Sequence, residues 1–185
     1  MPININILKK YLNPVFIETG SFFGDGIQSA IDAGFKKIYS IELSMELYER
    51  CKKRFKDNNN VYLKQGDSSI VLNELLKGSS SDANNNITYW LDGHYSGGST
   101  VKGNINSPII NELEIIKKYY KTGDIILIDD IRLCTDLKDK EYDFECNPKD
   151  LENKLLEINP NFQLEYIDSY RGNTLMFQKD ILVAR

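Results

Sequence analysis

This sequence has a single histidine, His94, and a single tryptophan, Trp90, in 185 residues. One histidine excludes HExxH zinc chemistry and any ligand set that needs two imidazoles. Histidine chemistry, if used, falls at one position. Cysteine is scarce too: Cys51, Cys134 and Cys146 are an odd number and form no CxxC pair. That argues against a disulfide framework or a zinc site and fits a reducing cytoplasm. No apolar run approaches the ~20 residues of a membrane-spanning helix, and mean hydropathy is −0.41. Residues 1–13 carry only short apolar pieces broken by Lys9, Lys10 and Tyr11, without the apolar core of a signal peptide. Basic charge is not in excess. A net charge of −4 and a pI of about 5.1 leave no whole-chain footprint for nucleic acid.

What is present suits one globular domain, with 41% hydrophobic and 27% charged residues. The expected organisation is an N-terminal extension over 1–13 and a single domain over 14–185. Short β-branched and aromatic runs alternate with amphipathic stretches. The pattern predicts strands at 14–17, 37–41, 61–64, 87–91 and 124–128. Helices are expected over 25–33, over 45–56, through residue 76, from Pro108 to Gly123, and over 149–158. Gly34 is a natural helix stop and Ser44 a natural cap. Runs at 162–170 and 174–178, around Arg171-Gly172-Asn173, read as a hairpin. The predicted fold class is α/β: a Rossmann-like, doubly wound, mostly parallel sheet of about seven strands with a C-terminal antiparallel hairpin.

In such a sheet, ligands bind outside the carboxyl ends of the strands. Those ends read Glu18-Thr-Gly20-Ser21-Phe-Phe-Gly24-Asp-Gly26, Glu42, Gly66-Asp67-Ser68, Asp92-Gly-His94-Tyr95 and Asp129-Asp130. Capping and turn formation explain each alone, but explain five acidic strand ends on one rim poorly. The first loop is no dinucleotide fingerprint, because Phe22 stands where a second glycine lets backbone approach a pyrophosphate. A glycine-rich turn beside Glu18 suits a ligand with an ammonium group and no phosphate. Glu42 follows at the distance where an acid accepts from both hydroxyls of a ribose.

These motifs, dispersed over residues 14–132, resemble the successive motifs of class I S-adenosylmethionine-dependent methyltransferases. The resemblance implies S-adenosyl-L-methionine as cofactor, with Gly20 and Gly24 bordering the methionine part and Glu18 and Ser21 also in the cofactor site. It implies Glu42 on the ribose, and Asp67 with Ser68 near the adenine. Leu91-Asp-Gly-His-Tyr95 with Ile128-Asp-Asp130 is similar to a narrower group, the metal-dependent small-molecule O-methyltransferases, including those acting on sugars. By that resemblance Asp92, Asp129 and Asp130 would hold Mg²⁺ or a similar divalent cation. His94 departs from the acid often found there. Strand spacing of ~4.8 Å lets carboxylates at neighbouring tips converge on one hard cation.

The expected reaction is in-line methyl transfer to a hydroxyl, with Asp92 or His94 as general base. The acceptor would be a hydroxylated small molecule, a sugar among the candidates, recognised by two rim loops or by the partner subunit of a homodimer. Loops over 95–107 and 131–148 are candidate lids, with Gly97, Gly98 and Gly103 for mobility. Lys102, Arg132, Tyr142 and Phe144 are candidate acceptor contacts. Two alternatives stand beside this: a methyltransferase acting on protein or nucleic acid, and a non-catalytic module binding S-adenosylmethionine or a dinucleotide. The Asn/Asp-Pro-Pro-aromatic motif of amino-methylating DNA enzymes is absent, and the acidic charge disfavours nucleic acid.

Overall fold

A computed structural model describes residues 3–78, 85–95, 107–134 and 146–185. The sheet starts from β1 (Val15–Thr19), which is buried throughout. Alternation sends Val15 and Ile17 to one face and Phe16 to the other. β2 (Lys37–Glu42) and β4 (Ile87–Leu91) flank β1, both parallel to it. β3 (Val61–Gln65) extends the sheet beyond β2, and β5 (Ile125–Ile128) beyond β4. β7 (Thr174–Ala184) runs antiparallel to β5, and β6 (Leu164–Arg171) closes the edge. The order is β3-β2-β1-β4-β5-β7-β6. The chain thus winds outward to β3, then restarts on the other side of β1. That reversal opens a crevice at the tips of β1 and β4.

Among the described residues, six α-helices cover the two faces. α1 (Ile5–Lys10), α2 (Asp25–Ala33) and α3 (Met45–Arg54) bury Leu8, Ile27, Ala30 and Cys51 against Phe16 and Ile38. α4 (Ser68–Gly78), α5 (Ile109–Tyr119) and α6 (Pro148–Ile158) bury Leu72, Leu113, Ile116 and Leu155 against Ile17 and Tyr89. The stop signals act as expected: Gly34 takes φ +98° and returns its N–H to Ala30 and Ile31. Ser44 Oγ accepts from Leu47 N. The segment ahead of β1 docks on the sheet. Tyr11 is buried, its hydroxyl donates to Glu165 at 2.6 Å, and its carbonyl accepts from Thr88 Oγ1. Among the described residues no helix is long and apolar enough to cross a membrane.

Two boundaries differ most from expectation. α5 ends at Tyr119, short of Gly123, because Tyr120 turns extended (ψ 139°). The last strand runs on to Ala184. Lys179 takes φ +52° and donates its N–H to Asp168 Oδ1 at 2.9 Å. That irregularity breaks the alternation from which the strand end was read, and turns Asp180 inward.

Candidate active site

The turn after β1 is held by its own backbone. Gly20 sits at φ +82° and donates to Ile41 O at 2.9 Å. A Cβ there would lie 2.4 Å from the Asp92 carbonyl oxygen, so the turns after β1 and β4 touch backbone to backbone. Gly26 is needed for a different reason: its Cβ would fall 1.8 Å from Glu18 Oε1. Glu18 is therefore packed into the start of α2, fully buried. Glu18 Oε2 accepts from Ser40 Oγ at 2.6 Å, and Ser40 Oγ lies 2.6 Å from Ser21 Oγ. Burial, with the Asp92 and Glu42 charges, pushes the Glu18 carboxyl up to about 8, against the lowering bond from Ser40.

Glu42 at the tip of β2 is fixed by amides. Its Oε2 accepts from Phe22 N and its Oε1 from Ser44 N, both at 2.8 Å. Burial raises this carboxyl, and those bonds oppose the rise. Asp67 caps α4, accepting from Ser69 N and Ser69 Oγ through Oδ1. Ser68 beside it is buried. Residues Glu18, Gly20, Ser21, Gly24, Glu42, Asp67 and Ser68 thus lie at or just beyond the ends of three adjacent parallel strands.

The tips of β4 and β5 carry the second cluster. Asp92 N–H donates to Thr19 O, and Asp129 N–H to Leu91 O. His94 bridges the tips, with Nδ1 3.3 Å from Asp92 Oδ1 and Nε2 3.0 Å from Asp130 Oδ2. Asp130 takes φ +58°, a conformation aspartate tolerates better than most residues. Burial and the Asp130 charge push the Asp92 carboxyl up to about 7. Burial, Asp130 and Asp92 drive Asp129 well above the carboxylate range. Burial alone would lift Asp130 too, but His94 and Arg132 outweigh it and hold this carboxyl below its ordinary value.

The three acids expected on one cation do not form one set. Among the described residues, donor atoms close enough to share an ion fall into two groups. One is Asp92, His94 and Asp130; the other is Asp129, Asp130 and Asp180. The split follows from the bridging imidazole and from Asp180, which β7 brings alongside.

Sequence reasoning missed Asp180 and Glu112. Asp180 stands at the head of the apolar run Ile181-Leu-Val-Ala184 and is 1% exposed. Glu112 occupies the apolar stripe of α5, at helical spacing with Ile109, Leu113 and Ile116. Each was visible as an acid inside an apolar pattern. Burial lifts Glu112 to about 7 against hydrogen bonds from Ser68 and Thr19. Its Oε1 has no hydrogen-bond partner among the described residues. Arg132, expected on an acceptor, turns instead onto Asp130 and Asp180. Gly97, Gly98, Lys102, Gly103, Tyr142 and Phe144 lie outside the described residues.

The mostly parallel sheet of this order, with β7 reversed beside β5, is a Rossmann-like fold that solved methyltransferases share. Solved structures agree. The SAH-bound methyltransferase PaMTH1 of Podospora anserina superposes with a TM-score of 0.61 at 13% identity, over 98% of this chain and 75% of that one. The O-methyltransferase from Bacillus cereus in complex with SAH gives 0.67 at 10% identity, over 97% and 77%. The precorrin-6y C5,15-methyltransferase of Geobacter metallireducens gives 0.58 at 13%, over 98% and 85%. No family model matches the sequence, and no curated protein matches it. Likeness at such low identity carries the fold alone.

Proposed function

We propose that this chain is an S-adenosylmethionine-dependent methyltransferase acting on a hydroxyl of a small molecule, a sugar being one such acceptor. The observation that carries the reading is the contact of Gly20 with the Asp92 carbonyl. It joins a phosphate-averse glycine turn directly to a partly buried carboxylate beside a buried imidazole. The residues fit this cofactor. Gly20 lets the β1 turn pack directly on the Asp92 backbone, Glu42 offers a fixed carboxylate for ribose hydroxyls, and the acids favour an ammonium over a phosphate. When bound, the cofactor supplies a methyl carbon that an acceptor oxygen attacks as the carbon–sulfur bond breaks.

The chain's own residues handle orientation and the proton. Gly20 and Glu42 fix the cofactor side, so the alignment between acceptor and methyl is set by the β1 and β2 turns. Asp92, titrating near 7, is matched to accept a hydroxyl proton at neutral pH. His94, in contact with Asp92 and Asp130, orients that carboxylate and is the second candidate base. The deficit of basic charge supports a small-molecule acceptor over nucleic acid.

A divalent cation on Asp92, Asp129 and Asp130 is the finer expectation. The donors are hard oxygens, as Mg²⁺ requires. Their arrangement does not fit it. An imidazole stands between Asp92 and Asp130, and a guanidinium bonds Asp130 and Asp180. No catalytic step needs a metal in this reading.

Calorimetric titration of the protein with S-adenosylhomocysteine and with NAD tests the proposal. The former is expected to bind and the latter not; failure to bind the former ends the methyltransferase reading. Asp92→Asn should keep that binding and lose about 10²–10⁴ in turnover. Full turnover by the variant would remove Asp92 as base.

A further inference from the structure

We infer that Arg132 is the resident cation of the β4–β5–β7 rim and closes it to divalent metal. Four acids meet there: Asp92, Asp129, Asp130 and Asp180, the last three 5% exposed or less. Clustered carboxylates in a dry site need a compensating charge, and the chain provides one. Arg132 Nη1 bonds both Asp130 Oδ1 and Asp180 Oδ2. Its backbone N–H donates to Asp180 Oδ1 at 3.1 Å. Its guanidinium carbon lies 4.1 Å from the centre of the Phe177 ring on the hairpin.

Oxygen by oxygen, the shared ligands are committed. Asp130 gives Oδ1 to Arg132 and Oδ2 to His94. Asp180 gives Oδ1 to the Arg132 amide, and Oδ2 to the Arg132 guanidinium and the Ser169 hydroxyl. Asp130 belongs to both groups of donors close enough to share an ion. An ion in the Asp129, Asp130 and Asp180 group would compete with Arg132 for oxygens, and an ion in either group would sit beside its positive charge. His94 also stands in the way. Its two nitrogens lie 3.3 Å from Asp92 Oδ1 and 3.0 Å from Asp130 Oδ2, so the imidazole fills the space between the two carboxylates. Arg132 is in this sense a positioning residue: it holds Asp130 in place beside His94, and so acts on Asp92 through two intermediaries. Its catalytic consequence rests on the methyltransferase reading; its effect on ion binding does not.

The test uses the full chain, stripped with EDTA and titrated with Mn²⁺ while the free-ion electron paramagnetic resonance signal is followed. The wild-type protein should leave the signal undiminished. Arg132→Met should take up Mn²⁺, and Arg132→Lys, which keeps the charge, should again exclude it. A merely structural arginine would not create an ion site when removed. Stoichiometric uptake by the wild type overturns the inference, as does a folded Arg132→Met that takes up none. If Arg132→Met fails to fold, as read by circular dichroism, the wild-type and Lys titrations still decide. S-adenosylhomocysteine affinity, measured on the same EDTA-stripped wild type, should be unchanged. Loss of that binding with Mn²⁺ still excluded would sink the methyltransferase reading and leave the resident cation standing.

Discussion

Glu18 shows how one buried carboxyl ties stability to pH. The groups facing it are the Ser40 hydroxyl, the carboxyls of Asp92 and Glu42, and the Cys51 thiol. In the native protein it titrates near 8, above its ordinary 4.5. The folded state therefore holds a proton that the unfolded chain releases. The sign follows: stability is full below about 4.5 and declines as pH rises to about 8. Asp92 and Glu112, both lifted to about 7, act in the same direction. Thermal unfolding of the free protein should show a midpoint that falls across this window, and Glu18→Gln should flatten the fall. A midpoint independent of pH in both proteins would refute the assignment. Glu18, Glu42, Asp92 and Asp129-Asp130 could be found from the chain because each follows a strand and needs no distant partner to be recognised. Arg132 could not, because its meaning comes from Asp180, far along the chain and brought near only by pairing of β7 with β5.

The elements that matter most to the site are its turns. The turn after β1 depends on Gly20, whose φ of +82° costs another residue about 1–2 kcal/mol before any contact is counted. The Asp92 carbonyl, 2.4 Å from where a Cβ would stand, is backbone and cannot swing aside. Gly20→Ala should thus separate the β1 and β4 turns. The expected result is at least about tenfold weaker S-adenosylhomocysteine binding, a cost of 1.4 kcal/mol or more, with a modest loss of melting temperature. Unchanged affinity would show that the contact is incidental. The β-α alternation was legible because apolar runs of four to six residues were bounded by Gly, Asn and Ser. The far half of β7 was not. Lys179, at φ +52°, interrupts the alternation, and the run after it reads as a tail. Yet Leu182, Val183 and Ala184 pair with β5.

At the scale of the whole molecule, the rim is only as fixed as the sheet that carries it, and the segment before β1 helps fix that sheet. Leu8 and Tyr11 are buried with Phe16, Trp90, Leu127 and Val183, residues from four different strands. The Tyr11 hydroxyl reaches Glu165 on β6, and its carbonyl receives Thr88 on β4. Asn4 reaches the Gly172 carbonyl in the turn between β6 and β7. One short helix therefore bonds β4 and the reversed hairpin, the two parts between which Asp92 and Asp180 must be held. Leu8 is fully buried, and Leu8→Ala should cost about 2–5 kcal/mol. A chain lacking residues 1–13 should lose more, since it also gives up the Tyr11 bonds. Both should melt in one transition at lower temperature, because the lost contacts span the sheet. A truncated chain that melts as the intact one does, and binds S-adenosylhomocysteine equally well, would show that 14–185 is self-sufficient. A lowered midpoint with weaker binding would show that the N-terminal segment is part of the domain that shapes the site.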